Sequence, residues 1–244
     1  MMKLSYDLHL HSCLSPCGDD DMTPGNIVNM AILKELDVIA LTDHNSAKNC
    51  PAFMKLAKSM GIIAIPGMEL CTMEEVHVVC LFETLEDVLN FDEYVYQNLI
   101  PFNNKESIFG KQQIYNENDE MIGDEPILLI NATTISFDQV YDLVHDYNGI
   151  MIPAHIDKNS NSLLSNLGFV PPDSKFTCAE LKDLQNLSNL KVTNPYFNKC
   201  NIISNSDAHY LEHINEPIHF LYTETKDIKD ILRALETINL NQLS

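Results

Sequence analysis

The chain has 244 residues, 45% of them hydrophobic, and a formal charge of −20 at pH 7. This length allows one large buried core, and the apolar content excludes a disordered or collagen-like chain. The charge argues against non-specific binding to long nucleic acid or to anionic membrane, because both need a basic field. No run approaches the roughly eighteen apolar residues of a membrane span, and the N-terminus lacks a signal-peptide core, so a cytoplasmic protein is expected. Seven cysteines, several in apolar segments (Cys71, Cys80, Cys178, Cys200), read as reduced buried thiols rather than a disulfide framework.

In chain order, Tyr6-Asp7-Leu8-His9-Leu10-His11-Ser12 reads as a strand ending in two histidines, followed by an acidic loop. Residues i and i+2 of a strand share a face, so His9 and His11 present both imidazoles together, half of a metal site. Thr23-Pro24 is an N-cap with proline at the first helical position, and Ile27, Met30, Ala31 and Leu33 recur at helical spacing. A second strand over residues 37–42 leads to Asp43-His44-Asn45, and a helix over 52–60 stops at Gly61. A third strand, residues 62–66, leads to Gly67-Met68-Glu69, and a fourth covers 76–82 with His77 near its start. Residues 87–134 interrupt the rhythm. A helix and a hairpin (112–116 with 120–122) read there as an insertion on the functional face and a candidate lid.

The alternation resumes with a helix from Ser136 to Tyr147, then a strand over 150–153 that ends at Ala154-His155. Residues 178–181 are a weaker strand, 201–204 lead into Asn205-Ser206-Asp207-Ala208-His209, and 218–222 precede a terminal helix. Short strands alternating with helices predict an α/β fold in one domain, residues 1–244. The theme is chemical: histidine and carboxylate recur where apolar strands end. In a parallel barrel those ends share one rim, where such residues would converge. Imidazole with carboxylate suits Zn²⁺, Mn²⁺ or Fe²⁺, and a bridging acid such as Glu69 would allow a multinuclear cluster.

Five motifs carry a resemblance: Asp7-Leu8-His9-Leu10-His11-Ser12, Leu41-Thr42-Asp43-His44-Asn45, Pro66-Gly67-Met68-Glu69, Ile152-Pro153-Ala154-His155 and Asn205-Ser206-Asp207-Ala208-His209. Together, and in this order, they resemble the polymerase and histidinol phosphatase (PHP) family of metal-dependent phosphoesterases. The resemblance implies a distorted (βα)7 TIM-like barrel with two or three divalent ions. It implies that His9, His11, Glu69 and Asp207 hold the first ion, and that Glu69 bridges to a second held by His77 and His155. A third would take His44, His209 and a residue of the acidic loop. Relatives often carry Ser-Asp-Gly there, whereas this chain has Ser15-Pro16-Cys17-Gly18-Asp19-Asp20-Asp21, so Asp19 is the first choice and Asp20 and Cys17 remain alternatives. Relatives commonly place an arginine where Lys158 stands; lysine would grip phosphate as a point charge without the bidentate fork.

The implied reaction is hydrolysis of a phosphate ester by a metal-bound hydroxide, on a small phosphorylated metabolite, a nucleotide or a short oligonucleotide. His44, Asp207 and His209 are the candidate catalytic groups, the two histidines for proton transfer if not committed to metal. Three other readings stand beside it: a C–N bond metallohydrolase, a nuclease of short oligonucleotides, and a non-catalytic metal-binding or regulatory module. Residue by residue, plainer readings also exist. His77 lies in an apolar strand, where a hydrogen-bonded core histidine is a rival. His145, His213 and His219 read as structural or solvated, and Cys13/Cys17 lack the second half of a zinc knuckle.

Overall fold

The computed structural model describes residues 1–238, so residues 239–244 of the expected domain lie outside the described residues. The first half contains β1 (Met2–Leu10), α1 (Pro24–Leu33), β2 (Val38–Leu41), α2 (Cys50–Met60), β3 (Ile63–Cys71), β4 (His77–Phe82) and α3 (Leu85–Asn98). Then come α4 (Glu106–Phe109), β5 (Gln113–Tyr115), β6 (Met121–Asp124), α5 (Phe137–Asp146), β7 (Gly149–Pro153) and α6 (Leu163–Asn166). The chain continues through β8 (Cys178–Glu180), α7 (Leu187–Thr193), β9 (Asn201–Ile203), β10 (Phe220–Thr223) and α8 (Ile228–Glu236). Local chemistry sets the helix ends as expected. The Thr23 side chain accepts from the Asn26 N–H, Gly61 closes α2 at φ +79°, and Ser136 with Gln139 forms a capping box. Among the described residues, no helix is long and apolar enough to cross a membrane.

Six strands form one sheet in the order β10-β1-β2-β3-β4-β7. β1, β2 and β3 run parallel, whereas β4 is antiparallel to both β3 and β7, and β10 is antiparallel to β1. This corrects the expectation of a rim built only from C-terminal strand ends: β4 runs the other way, so its first residue, His77, reaches the rim. β8 and β9 form a separate parallel pair. On one side the Ile156 N–H donates to the Glu180 carbonyl at 2.9 Å, and on the other the His11 N–H donates to the Ala208 carbonyl at 3.0 Å. The two sheets therefore curl around a common apolar interior.

The two-residue period of β2 divides the core. Val38 and Ala40 join Leu8, Ile65, Val79 and Ile152 inside the curl, while Ile39 and Leu41 pack with Ile27 and Phe53 under the helices. Each fully buried side chain of this kind contributes about 1.5–3 kcal/mol. β3 pairs with β2 as far as Pro66 and with β4 from Gly67 onward. A Cβ at Gly67 would lie 2.8 Å from the Cys80 carbonyl oxygen, so the close approach of β4 requires glycine. Glu69 thereby stands inside a strand rather than past its end, which corrects the sequence boundary.

Within residues 87–134, α3 packs on β3 and β4, and β5–β6 forms the expected hairpin. The hairpin is fastened to the loops after β1 and β2. The Gln113 N–H donates to the Cys13 carbonyl at 2.8 Å, and the Tyr115 N–H to the Asn49 side chain at 2.9 Å. Asn45 donates to the carbonyls of Leu129 and Asn131. This segment stands beside the rim, yet the cleft described below is lined by other residues.

Candidate metal centre

Glu69 lies at the centre of the site, 1% exposed. Its Oε1 is 3.2 Å from His9 Nε2, 3.0 Å from His77 Nδ1 and 3.2 Å from His155 Nε2. Its Oε2 is 2.9 Å from His44 Nδ1 and 3.5 Å from His11 Nε2. β1 supplies His9 and His11, whose Nε2 atoms are 3.1 Å apart, as the i, i+2 spacing predicts. Asp207 completes the first group, with Oδ1 3.5 Å from His9 Nε2 and 3.3 Å from His11 Nε2.

These separations permit a test of fit. A tetrahedral ion with ligand bonds near 2.05 Å has ligand–ligand edges of about 3.3–3.4 Å. The atoms of His9, His11, Glu69 and Asp207 lie 3.1–3.5 Å apart in the pairs just given, and those of Glu69 with His77 and His155 at 3.0–3.2 Å. Two buried atoms, His44 Nδ1 and Glu69 Oε2, face one another at 2.9 Å without hydrogen-bonding geometry. Buried polar atoms left so are costly unless a ligand completes them. The donor set therefore fits divalent ions.

A surrounding layer contacts the imidazoles of His9, His11, His77 and His209. His9 Nδ1 lies 2.9 Å from the Glu180 carboxylate, which leaves Nε2 for a metal. His11 Nδ1 lies 3.0 Å from the Ser15 hydroxyl, which in turn donates to Asp43 at 2.7 Å. His209 Nδ1 donates to the Asp207 carbonyl at 2.9 Å, and an Asn161 side-chain nitrogen lies 3.2 Å from His77 Nε2. His155 and Asp207 both hold left-handed backbone conformations, φ +31° and +56°, uncommon for residues with a Cβ and typical of functional turns. Asp207 and His209 consequently sit on a turn rather than an extended backbone. Asp207 lies against His9 and His11, His209 comes together with His11 and His44, and His44 also with Glu69 and His77.

The electrostatics point the same way. Burial resists charge on His9, but the carboxylates of Glu180, Glu69 and Asp207 outweigh it and hold its pKa well above the usual value. Burial is likewise overcome at His77, pushed up to about 10 chiefly by Glu69. Burial keeps His11 and His44 below the ordinary imidazole value, with His209 adding repulsion at both. Burial would raise Glu69 and Asp207, yet the facing histidines hold both below the usual carboxylate range. A field that favours protons on His9 and His77 favours a cation between them.

Eight of the nine predicted metal-site residues, all but Asp19, surround this centre, and His77 belongs to it rather than to the apolar core. The Asp19 carboxylate accepts from the Asp21 N–H at 2.9 Å, while its own N–H donates to the His209 carbonyl. The Asp20 carboxylate faces Lys111 and Gln113. Cys17 is exposed to solvent on this loop. Lys158 Nζ donates to Asp207 Oδ2 at 2.6 Å and, with Ser160 and Asn161, lines an open cleft of about 150 Å³ against the histidines. Glu180 was missed from sequence: it ends the weakest strand and belongs to none of the motifs. A lone acid closing an otherwise apolar three-residue strand is the signal that could have found it.

The site gathers imidazoles and carboxylates at one rim of a curled α/β sheet, a donor set able to hold divalent ions. Residues 7–234 match the PHP domain family, and the chain belongs to it. A 5'-3' exoribonuclease of Haemophilus influenzae is 35% identical over 83 residues, 33% of this chain and 29% of that protein. The fold is similar to Endonuclease Q from Pyrococcus furiosus, a lesion-specific endonuclease, with TM-score 0.66 at 18% identity, covering 98% of this chain and 57% of that one. A putative metal-dependent phosphoesterase from Bifidobacterium adolescentis gives TM-score 0.57 at 14% identity, over 97% and 98% of the two chains. This chain thus spans less than two thirds of the exoribonuclease and of Endonuclease Q.

Proposed function

We propose that this chain is a metal-dependent phosphoester hydrolase acting on a small phosphorylated metabolite, a nucleotide or a short oligonucleotide. The observation that carries the reading is Glu69: one buried carboxylate lies within 3.5 Å of five imidazole nitrogens drawn from four separate segments. His9, His11, Glu69 and Asp207 would hold one ion, and Glu69, His77 and His155 a second. His44 and His209 would serve a third, or proton transfer. Zinc, manganese and iron all suit this donor set. The two sheets are read as the distorted (βα)7 barrel of the family, residues 87–134 as an insertion beside its rim, and seven unpaired thiols fit a reducing cytoplasmic setting.

When bound, such ions supply a hydroxide nucleophile at neutral pH and neutralise phosphoryl oxygens. The protein does the rest. Lys158 holds a non-bridging oxygen by charge from the edge of the cleft. The bond from His209 Nδ1 to the Asp207 carbonyl leaves Nε2 turned toward the cleft, free to bind metal or to hold a proton for the leaving oxygen. Burial lowers the His44 pKa, the direction that a metal ligand needs. A polynucleotide substrate is the second reading, favoured by the solved complex of Endonuclease Q with a 27-mer duplex (TM-score 0.67, 18% identity, covering 98% of this chain and 58% of that one).

The test combines metal analysis of the purified chain with turnover of an aryl phosphate and of dinucleotides in added Mn²⁺. Phosphate or nucleotide release, abolished together with bound metal in His9→Ala and Asp207→Ala, is expected. Bound ions without turnover would mark a metal-binding module, and ammonia or carboxylate release a C–N hydrolase.

A further inference from the structure

We propose that Glu180 is a positioning residue that couples the two metal positions sharing Glu69, by holding one ligand of each from behind. The inference rests on the metal-centre reading and concerns a residue outside the ligand set. Glu180 is the last residue of β8 and is 1% exposed. Its Oε2 lies 2.9 Å from His9 Nδ1, behind the first position. Its Oε1 accepts the His155 N–H at 3.0 Å, behind the second. Asn205 donates to the same Oε2 at 2.8 Å and accepts the Leu8 N–H at 2.8 Å, so the carboxylate is itself held against β1.

The two contacts have different consequences. An ionised carboxylate can only accept, so it assigns the His9 proton to Nδ1 and leaves Nε2 as the ligand atom. At His155 it satisfies the buried N–H of a residue held at φ +31°, which fixes the turn that aims this imidazole at Glu69. One rigid group therefore sets both ends of the Glu69 bridge. An ion at one position fixes its ligand against this rigid carboxylate, and through it the ligand of the other position, which is the condition for positive cooperativity.

Glu180→Gln separates the two contacts because an amide has one acceptor end. With its oxygen toward His9, its NH₂ opposes the His155 N–H. Turned over, the NH₂ faces His9 and Asn205, and His9 must take its proton on Nε2, the ligand atom. Neither orientation serves both positions.

The test titrates the metal-free full chain with Co²⁺, followed by calorimetry and by the visible absorption of the bound ion. The native chain is expected to take up two ions in one steep transition. Glu180→Gln should take them up in two separated steps, the weaker about 10–100-fold weaker than native, with an altered Co²⁺ spectrum. If the amide variant fails to fold, Glu180→Asp keeps the charge but is one methylene too short to reach both groups, and should separate the steps likewise. Two ions bound by the variants with native affinity, steepness and spectrum would overturn the inference and leave the metal centre standing. A lower melting temperature of the metal-free variant without separated steps would overturn it too, as a purely structural role. No binding by the native chain would instead overturn the reading of the centre itself.

Discussion

Ser15→Ala removes one oxygen from the layer behind the histidines, and its cost follows from the contacts. The Ser15 hydroxyl donates to Asp43 at 2.7 Å, lies 3.0 Å from His11 Nδ1 and accepts the His44 N–H at 3.2 Å. All of these groups are buried. Losing a hydrogen bond to a charged group costs about 1.5–3 kcal/mol, and an unsatisfied buried N–H about 1–3 more, so roughly 3–5 kcal/mol is expected. That is below the stability of an ordinary domain, about 5–15 kcal/mol, and the variant should fold. The loss should also depend on pH. Burial already raises Asp43 to about 6, against the hydrogen bonds from Ser12 and Ser15. A carboxyl whose folded pKa is raised contributes stability that is complete below its unfolded pKa and disappears as pH rises through the folded value. Removing Ser15 raises Asp43 further, so the part of the deficit owed to Asp43 should be small near pH 5 and full above pH 7, added to the pH-independent cost of the unpaired His44 N–H. Urea unfolding of the metal-free chain at both pH values measures this. A deficit below about 1 kcal/mol at pH 8, or one that shrinks as pH rises, would refute the assignment of Ser15 as acceptor and donor at once.

Two further outcomes are expected. Chelation of bound metal by EDTA should lower the melting temperature: a site held at a hundred times its Kd contributes about 2.7 kcal/mol, or roughly 5–11 °C for a domain of this size. Scanning calorimetry with and without chelator reads it, and no shift would mean that no ion is bound by the folded chain. His145 lies 3.1 Å from Glu236 at the end of α8, and that contact raises its pKa. Its contribution should be present below the unfolded value of about 6.5 and fade as pH rises through the folded one. Since both side chains are about a third exposed, Glu236→Gln should cost under about 1 kcal/mol at pH 6 and nothing at pH 9, by thermal melts at the two pH values.

Most of the residues that converge on Glu69 were legible because their placement depends on local spacing that the backbone enforces. His9 and His11 share a face on any strand, and His44 and His155 directly follow apolar runs that could be little else. Strand direction was not legible. Alternation of apolar residues identifies a strand but not the way it runs, so the antiparallel course of β4 and its effect on His77 appear only in the structure. Glu69 was assigned to a loop because Pro66-Gly67 resembles a strand end; pairing with β4 carries the strand past that pair to Cys71. Glu180 was invisible for another reason. Its role depends on two groups 171 and 25 residues away, and neither spacing leaves a periodic trace.

The charge of the chain and the chemistry of its site are reconciled by where the negative groups lie. Glu69, Asp207 and Glu180 are buried behind or between imidazoles, while Asp19, Asp20 and Asp21 lie on the loop outside. Two divalent ions would outweigh the two carboxylates that ligate them and make the floor of the cleft positive within an acidic protein. Lys158 adds charge at its edge, although its ion pair with Asp207 directs part of that charge inward. The attraction is therefore centred on an open cleft of about 150 Å³. A long polynucleotide would gain from the one phosphate that enters and be repelled along the rest of its length, because outside the cleft a chain carrying −20 offers few cations to replace its counterions. A substrate with one or two phosphates meets the favourable field without that repulsion, and on this ground the small-substrate reading is preferred over the polynucleotide one.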